Sequence, residues 1–127
     1  MKKIKHTSLK SLKKKAWKLQ SEYIRKFEKG ICYTCGVHKP WKECHAGHYI
    51  HGNWMDFAPM NIHCQCPRCN TYLSGNLGVY AERLMADYGI DAVENLRAWS
   101  IINKDKKYNI FELEDLIKTY TELLEET

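Results

Sequence analysis

Four of the six cysteines in this sequence have the spacing of metal ligands. Cys32 and Cys35 form one C-x2-C pair, and Cys66 and Cys69 form a second. Because a two-residue gap lets both sulfurs of a tight turn point at one centre, two such pairs can wrap a tetrahedral Zn²⁺. A structural zinc ion contributes on the order of 10 kcal/mol to folding. The repeated spacing predicts a structural four-cysteine zinc site, with unmetallated thiols or redox pairs as the alternative.

The other two cysteines do not share this spacing. Cys64 stands two positions before Cys66, a gap without the turn that a C-x2-C pair supplies, and Cys44 has no near cysteine neighbour. Both are predicted to be small buried apolar residues. No apolar run is long enough for a signal peptide or a membrane span, so we expect a soluble, cytoplasmic protein. In a reducing cytosol, cysteines serve more often as thiolate ligands than as disulfides.

Between and after the cysteine pairs stand a histidine and two asparagines in a recognisable order. His48 ends the segment His-Ala-Gly-His, Asn61 leads back to the second pair, and Asn70 directly follows Cys69. This is the order of the HNH nucleases. The motifs HAGHY (45–49), NIHCQCPRCN (61–70) and YLSGN (72–76) are similar to those of the NinG (Rap) family of lambdoid phages, structure-specific endonucleases that act on branched recombination intermediates. The resemblance covers about residues 30–97.

The resemblance implies an α+β fold with a small zinc-bound treble-clef, ββα-metal (HNH-like) core and flanking N- and C-terminal helices. It implies that His48 is the general base, that Asn61 pins the hairpin, and that Asn70 is an oxygen ligand to a catalytic Mg²⁺ or Mn²⁺. Phosphodiester hydrolysis needs a base for water and a cation for the phosphate, and a histidine can take up a proton near neutral pH.

One position departs from the wider HNH pattern. The residue before the base is commonly an Asp or His that shares the catalytic metal, and here it is Gly47. His45 is the candidate substitute, although in a regular strand His45 and His48 face opposite ways. Because a glycine inside a strand often marks a bulge, we expect a bulge at Gly47 to turn His45 inward. Asp56 is the second candidate ligand.

Several neighbouring residues allow both a structural and a functional interpretation. His63 faces either a phosphate or another side chain. Asn76 is either a helix C-cap beside Gly75 or a DNA contact. Trp41 and Trp54 are expected to pack over the zinc site, with stacking on an unpaired base as the alternative.

The elements that position these residues follow from apolar spacing. Leu9 to Phe27 has the period of an amphipathic helix that ends at Gly30. Val79 to Trp99, interrupted by Gly89, predicts a helix, a glycine cap and a second short helix, and Phe111 to Leu124 predicts one more. The predicted organisation is a basic helical arm (1–30), a zinc-binding nuclease core (31–78) and C-terminal helices (79–127) that pack on the core or form an interface.

Charge is distributed unevenly along the chain. Residues 1–30 hold eleven Lys/Arg and two acids, whereas residues 98–127 hold four and seven. A block of positive charge suits DNA phosphates, anionic lipid or simple solvation. With the nuclease resemblance, we expect it to bind branched or single-stranded DNA and no membrane. The predicted DNA-binding residues are Lys10, Lys13, Lys14, Lys15, Lys18 and Arg68.

The leading functional hypothesis is therefore a phage- or prophage-encoded endonuclease that works in the bacterial host cytoplasm. A non-catalytic treble-clef zinc module that binds DNA or protein is the alternative, and the missing metal ligand before His48 favours it. A restriction-like or homing nuclease would share the site but needs further sequence-reading elements, for which 127 residues leave little room. Paired cutting of a junction would need a homodimer.

Overall fold

The structure is a computed structural model that describes the backbone from Lys2 to Thr127 and the side chains from Leu9 onward. It is an α+β fold with four α-helices and one small antiparallel sheet in that part of the chain. The helices and strands are α1 (Lys2–Phe27), β1 (His45–His48), β2 (Ile62–Gln65), α2 (Leu77–Tyr88), α3 (Ala92–Ile102) and α4 (Ile110–Glu125). Across the residues that are described, every helix is too short or too polar to cross a bilayer.

Contacts group the chain into two compact units, residues 1–23 with 107–127, and residues 24–106. In the first unit α4 begins with a capping box, in which the Asn109 and Glu112 side chains each accept a hydrogen bond from the other residue's backbone N–H. Leu113 of α4 and Ala16 of α1 are buried. Tyr120 donates to the Gln20 side chain over 3.1 Å. The buried face of α1 in this unit therefore includes a hydrogen-bonded glutamine as well as apolar residues.

The second unit holds the sheet, α2 and α3. Its apolar core forms where α2 and α3 pack with the loop between the strands, and Gly89 separates the two helices with a φ of 111° that favours glycine. Trp54 belongs to this packing, since its indole N–H donates to the Ser100 carbonyl over 3.0 Å. The buried members of the core are Tyr33, Met55, Ala58, Tyr80, Leu84, Ala92, Val93 and Leu96.

The helices lie close to where apolar spacing predicts them. The Gly89 interruption is confirmed, and α4 differs from its prediction by one residue at each end. The N-terminal helix lies within the predicted arm of residues 1–30 but ends at Phe27 rather than at Gly30, and Phe27 is exposed rather than part of a buried stripe. The two units group α4 with the N-terminal helix, whereas the predicted organisation placed α4 with α2 and α3.

The hairpin is regular, and the bulge predicted at Gly47 is wrong. Four consecutive pairs join the strands, from His45 with Gln65 to His48 with Ile62. Opposed residues of an antiparallel pair point to the same side, and neighbours along a strand point to opposite sides. His45 and Gly47 therefore share one face of the sheet with Gln65, and His48 lies on the other.

Candidate functional site

The four predicted cysteine ligands meet in one cluster. The sulfur atoms of Cys32, Cys35, Cys66 and Cys69 all lie within 4.8 Å of one another, and three of these residues are buried. Each pair forms a turn in which the backbone N–H of the second cysteine donates to the sulfur of the first, over 3.4 and 3.5 Å. In the first turn Gly36 has a φ of 80°. Four sulfurs at this spacing are compatible with a tetrahedral structural zinc ion.

Hydrogen bonds favour the thiolate form at one of these sulfurs. Burial alone would raise the pKa of Cys32, but hydrogen bonds from Thr34 and from nearby backbone N–H groups lower it to about 6. Burial raises the pKa of Cys35 to about 12. Because metal ligation requires thiolates, and neighbouring thiolates repel one another, a cation is what would hold all four ionised together.

Cys44 and Cys64 lie outside this cluster. Both are buried, as predicted for small apolar residues. The Cys44 thiol lies 3.6 Å from the Gly30 carbonyl and 3.7 Å from the Pro40 carbonyl. Four of the six sulfurs therefore form the cluster, and the other two lie buried elsewhere in residues 24–106.

His45 and Asn70 are far apart in sequence but contact each other on the same face of the hairpin as Gly47. His45 Nδ1 lies 3.0 Å from Asn70 Nδ2, and both side chains are half-buried. Asn70 stands in a five-residue π-helical segment, Arg68–Tyr72, that includes the last cysteine of the second turn. The zinc cluster therefore determines where the Asn70 amide lies. The regular alternation of side chains along β1 is enough to place His45 beside the Asn70 amide, so the predicted bulge is not needed.

Gly47 has no room for a side chain. A Cβ at this position would overlap the side-chain amide oxygen of Gln65 and would stand 3.0 Å from Asn70 Oδ1. Gln65 is fully buried, and its Nε2 donates to Thr34 Oγ1 over 3.1 Å and to the Gly75 carbonyl over 2.9 Å. Within the described residues its Oε1 has no hydrogen-bond donor. Gln65 belongs to the motif NIHCQCPRCN, but no local pattern predicts a role for it.

His48 lies on the other face of β1 and forms a histidine–carboxylate pair. Its Nε2 is 2.9 Å from Asp56 Oδ1, and its ring stacks on that of His51 with 5.3 Å between centroids. Asp56 was predicted only as a second metal ligand, and the structure places it at the histidine instead. If Nε2 donates to Asp56, the lone pair of the imidazole is on Nδ1.

Asn61 holds the loop between the strands together. It is fully buried, its Oδ1 accepts from the Ile50 N–H over 2.8 Å, and its Nδ2 donates to the Ile50 and Met55 carbonyls over 2.9 and 3.0 Å. These contacts fit the pinning role that the family resemblance implies. Tyr80 of α2 adds a second clamp, because its hydroxyl donates to the Gly47 carbonyl over 2.7 Å.

His63 has protein partners rather than an open face. It is buried, its Nδ1 is 2.6 Å from Glu28 Oε2, and its ring stacks on Tyr33 with 3.8 Å between centroids. The other carboxylate oxygen of Glu28 accepts from the Cys64 N–H over 2.8 Å. These contacts favour the structural interpretation of His63 and tie the chain after α1 to β2.

Two further residues differ from the sequence expectation. Asn76 is the N-cap of α2, with φ 50°, rather than a helix C-cap, and its amide donates to Cys69 Sγ over 3.6 Å. Trp41 is surrounded by cations, with Arg25, Lys26 and Lys42 centred 4.8 to 5.8 Å from its ring centroid. A cation over an aromatic face is attracted by the ring quadrupole, so these contacts stabilise a positively charged surface.

The predicted DNA-binding cations are mostly exposed. Arg68 is exposed between Cys66 and Cys69, and in α1 Lys13 is half-buried while the other four predicted lysines are exposed. That these side chains contact DNA stays a prediction.

Comparison with known proteins identifies the family. The profile described as "Bacteriophage Lambda NinG protein" matches residues 1–127. Among curated proteins, Protein ninG of Salmonella phage P22 is 33% identical over 91 residues, which span 67% of this chain and 43% of that relative. Protein ninG of Escherichia phage lambda is 32% identical over the same shares. The matched part of this chain thus covers less than half the length of these relatives. No solved structure matches.

The matched residues include both cysteine pairs, the hairpin and the helices on either side. The chain therefore belongs to the bacteriophage NinG family.

Proposed function

We propose that this chain is a metal-dependent, structure-specific DNA endonuclease of the HNH, treble-clef type that acts on branched recombination intermediates such as Holliday junctions or D-loops. The observation that carries the proposal is the meeting of His45 with Asn70 beside the zinc turn, on the hairpin that also holds His48 against Asp56. Unlike the buried His63 that pairs with Glu28, His48 is half-buried, so its pair with Asp56 lies where a substrate could reach it.

The His45–Asn70 pair has donors that a divalent cation accepts. The pair offers an imidazole nitrogen and, after a half-turn of the Asn70 amide, a carboxamide oxygen on the same side. Imidazole is an uncommon ligand for Mg²⁺, which prefers oxygen, so this donor set favours Mn²⁺ over Mg²⁺. A bound cation would neutralise charge on the phosphate and on the departing oxygen. The residues present therefore fit the predicted catalytic metal.

The chain's own residues account for the proton transfer. Asp56 accepts the Nε2 hydrogen of His48, which orients the imidazole ring and stabilises the imidazolium that forms when His48 takes a proton from water. His48 is the last residue of β1, and the Asn70 amide lies 3.0 Å from His45, which is on the other face of that strand. A base and a metal site act on opposite sides of a phosphate when attack is in line with the leaving oxygen. The scissile phosphate would accordingly lie across the end of β1.

Cleavage of synthetic DNA tests this function. The zinc-loaded chain, supplied with Mn²⁺ or Mg²⁺, should cut a labelled four-way junction or D-loop in preference to linear duplex of the same sequence. His48→Ala should abolish cutting and leave zinc content unchanged, whereas His38→Ala, which changes an exposed histidine, should cut normally. Equal cutting by wild type and His48→Ala would show that His48 is not the base.

A second candidate, a zinc module that binds DNA or protein without hydrolysis, is favoured by one observation. The His45–Asn70 pair contains no carboxylate, and Gly47 supplies none. This candidate predicts that the wild-type chain binds a junction but leaves it uncut with either metal at any concentration. The same cleavage assay therefore separates the two functions.

A further inference from the structure

We infer that a cationic surface around the Trp41 ring binds the phosphate backbone of the DNA on which the proposed active site acts. We call it the Trp41 surface, and it consists of Trp41 with Arg25, Lys26 and Lys42. The inference rests on the proposed function for the identity of the ligand. These residues are separate from the α1 lysines and Arg68 that the sequence predicts as DNA contacts.

Three cations converge on this one ring. The Arg25 guanidinium carbon lies 5.0 Å from the Trp41 centroid, and the ammonium nitrogens of Lys26 and Lys42 lie 4.8 and 5.8 Å from it. A single cation is attracted to an aromatic face. Because the ring has only two faces, three cations cannot each have a face of their own, and their like charges repel one another. An anion that lies across all three relieves this repulsion.

The Trp41 surface is assembled from two chain segments, the last turn of α1 and the single helical turn Trp41–Glu43. Gly30 permits their approach, because its φ of 69° favours glycine and a Cβ there would overlap the Lys39 carbonyl oxygen. The Lys39 N–H donates to the Gly30 carbonyl over 2.9 Å. Arg25 donates to the Cys44 carbonyl over 3.5 Å, which orients its guanidinium. Backbone hydrogen bonds and a glycine contact therefore hold the cations in one place.

The local charge favours an anionic ligand. Residues 25–42 contain five Lys/Arg and one acid, Glu28. The Glu28 carboxylate binds the hairpin, with one oxygen 2.6 Å from His63 Nδ1 and the other accepting from the Cys64 N–H over 2.8 Å. Glu43, the next acid along the chain, is exposed beside Lys42. This part of the chain thus keeps a clear excess of positive charge.

The position of the Trp41 surface favours DNA over anionic lipid, which presents the same charge. The Trp41–Glu43 turn leads through Cys44 directly into β1, whose His45 and His48 belong to the proposed active site. A DNA strand carries a phosphate about every 3.4 Å along the axis, so cations grouped around one ring match about two or three successive phosphates. The expected ligand is the backbone of one DNA arm, and this role differs from stacking of a base on the Trp41 ring.

Binding of the zinc-loaded full chain to a fluorescein-labelled four-way junction tests the inference without any cleavage. Fluorescence anisotropy gives the affinity at several KCl concentrations, with no Mn²⁺ or Mg²⁺ added. Each phosphate contact contributes about 0.9 to the slope of log affinity against log salt concentration. The triple variant Arg25→Gln, Lys26→Gln, Lys42→Gln should therefore bind more weakly, and its slope should be shallower by about 2.7.

Lys42→Gln alone gives a test that does not depend on the packing of α1, because Lys42 is exposed outside that helix. Its slope should be shallower by about 0.9, with zinc content and circular dichroism unchanged. The control variant removes the same charge as the triple variant at another place and should keep the wild-type slope; its substitutions are Lys104→Gln, Lys106→Gln and Lys107→Gln.

The outcomes distinguish this inference from the proposed function. Wild-type slopes in both the triple variant and Lys42→Gln would overturn the inference, whether or not the chain cuts a junction. If the triple variant instead loses binding to phosphatidylserine vesicles, the surface is a lipid contact.

Two further results complete the comparison. If Trp41→Ala weakens binding to single-stranded DNA while Lys42→Gln keeps the wild-type slope, the ring stacks on a base and the backbone role is wrong. If the slopes fall as expected but wild type cuts no junction with Mn²⁺ or Mg²⁺, the proposed function fails and the Trp41 surface stands as a DNA contact.

Discussion

Replacing Asn61 by alanine should destabilise residues 24–106 before it affects any chemistry directly. The side chain makes three hydrogen bonds, one from the Ile50 N–H and two to the Ile50 and Met55 carbonyls. Alanine removes all three and leaves these backbone groups without their partner in the closed loop. At roughly 1 kcal/mol for each bond, the free energy of unfolding should fall by about 3 kcal/mol.

That loss is large for a unit of this size. A change of 1 kcal/mol shifts the melting temperature of a domain of 60 to 100 residues by about 4 to 8 °C, so Asn61→Ala should melt about 12 to 24 °C below wild type. Circular dichroism of the zinc-loaded chain measures the shift. Asn95→Ala, an exposed substitution on α3, should melt within a few degrees of wild type.

Asn61→Asp separates the contributions of the three bonds. It keeps the acceptor for the Ile50 N–H but loses both donors and buries a charge, so it should be no more stable than Asn61→Ala. If Asn61→Ala instead melts within about 3 °C of wild type but no longer cuts a junction, Asn61 acts on the substrate directly and the pinning role is wrong.

Three further predictions concern the histidine pair, the zinc site and the lysines. Asp56→Asn should reduce junction cleavage at neutral pH about ten- to a hundredfold without loss of zinc, as expected for a residue that orients the base. Asp91→Asn, at the exposed start of α3, should cut normally. Equal cleavage rates for the two variants would show that Asp56 is not part of the site. Cys66→Ala should lose the bound zinc and unfold residues 24–106. Cys64→Ala, which also removes a buried cysteine, should keep one zinc per chain by metal analysis. Zinc retained by both variants would contradict the four-sulfur site. Changing Lys13, Lys14 and Lys15 together to alanine should weaken junction binding and flatten its salt dependence. The same change at Lys104, Lys106 and Lys107 should have neither effect. If the affinity of both variants depends on salt concentration with the same slope, α1 does not contact DNA phosphates.

The features that sequence analysis predicted well depend on short-range patterns. The two C-x2-C pairs identify their own cluster, because each turn is local and the spacing repeats. The helices follow from apolar period, and Gly89 marks a break that its backbone angle requires. The motifs at 45–49, 61–70 and 72–76 predicted the NinG family, which the profile match over the whole chain confirms.

Other features depend on partners that are distant in sequence. Asp56 and His48 are separated by a loop whose path follows from Asn61, so no local pattern predicts that they meet. The bulge predicted at Gly47 is wrong, because the glycine is explained by the space that the Gln65 side chain takes and the backbone there is regular. Which chain segments pack with α4 follows from tertiary contacts such as Tyr120 with Gln20, which a helical period does not specify.

The hydroxyl of Thr34 contacts both the Cys32 sulfur of the zinc cluster and the buried side-chain amide of Gln65. Its oxygen accepts from the Gln65 amide over 3.1 Å and lies 3.4 Å from the Cys32 sulfur, to which the hydroxyl donates when Cys32 is a thiolate. Serine can repeat this relay and the isosteric valine cannot. Loss of the hydroxyl would therefore disturb the zinc turn and the packing beneath Gly47 together, although Thr34 itself takes no part in the proposed chemistry.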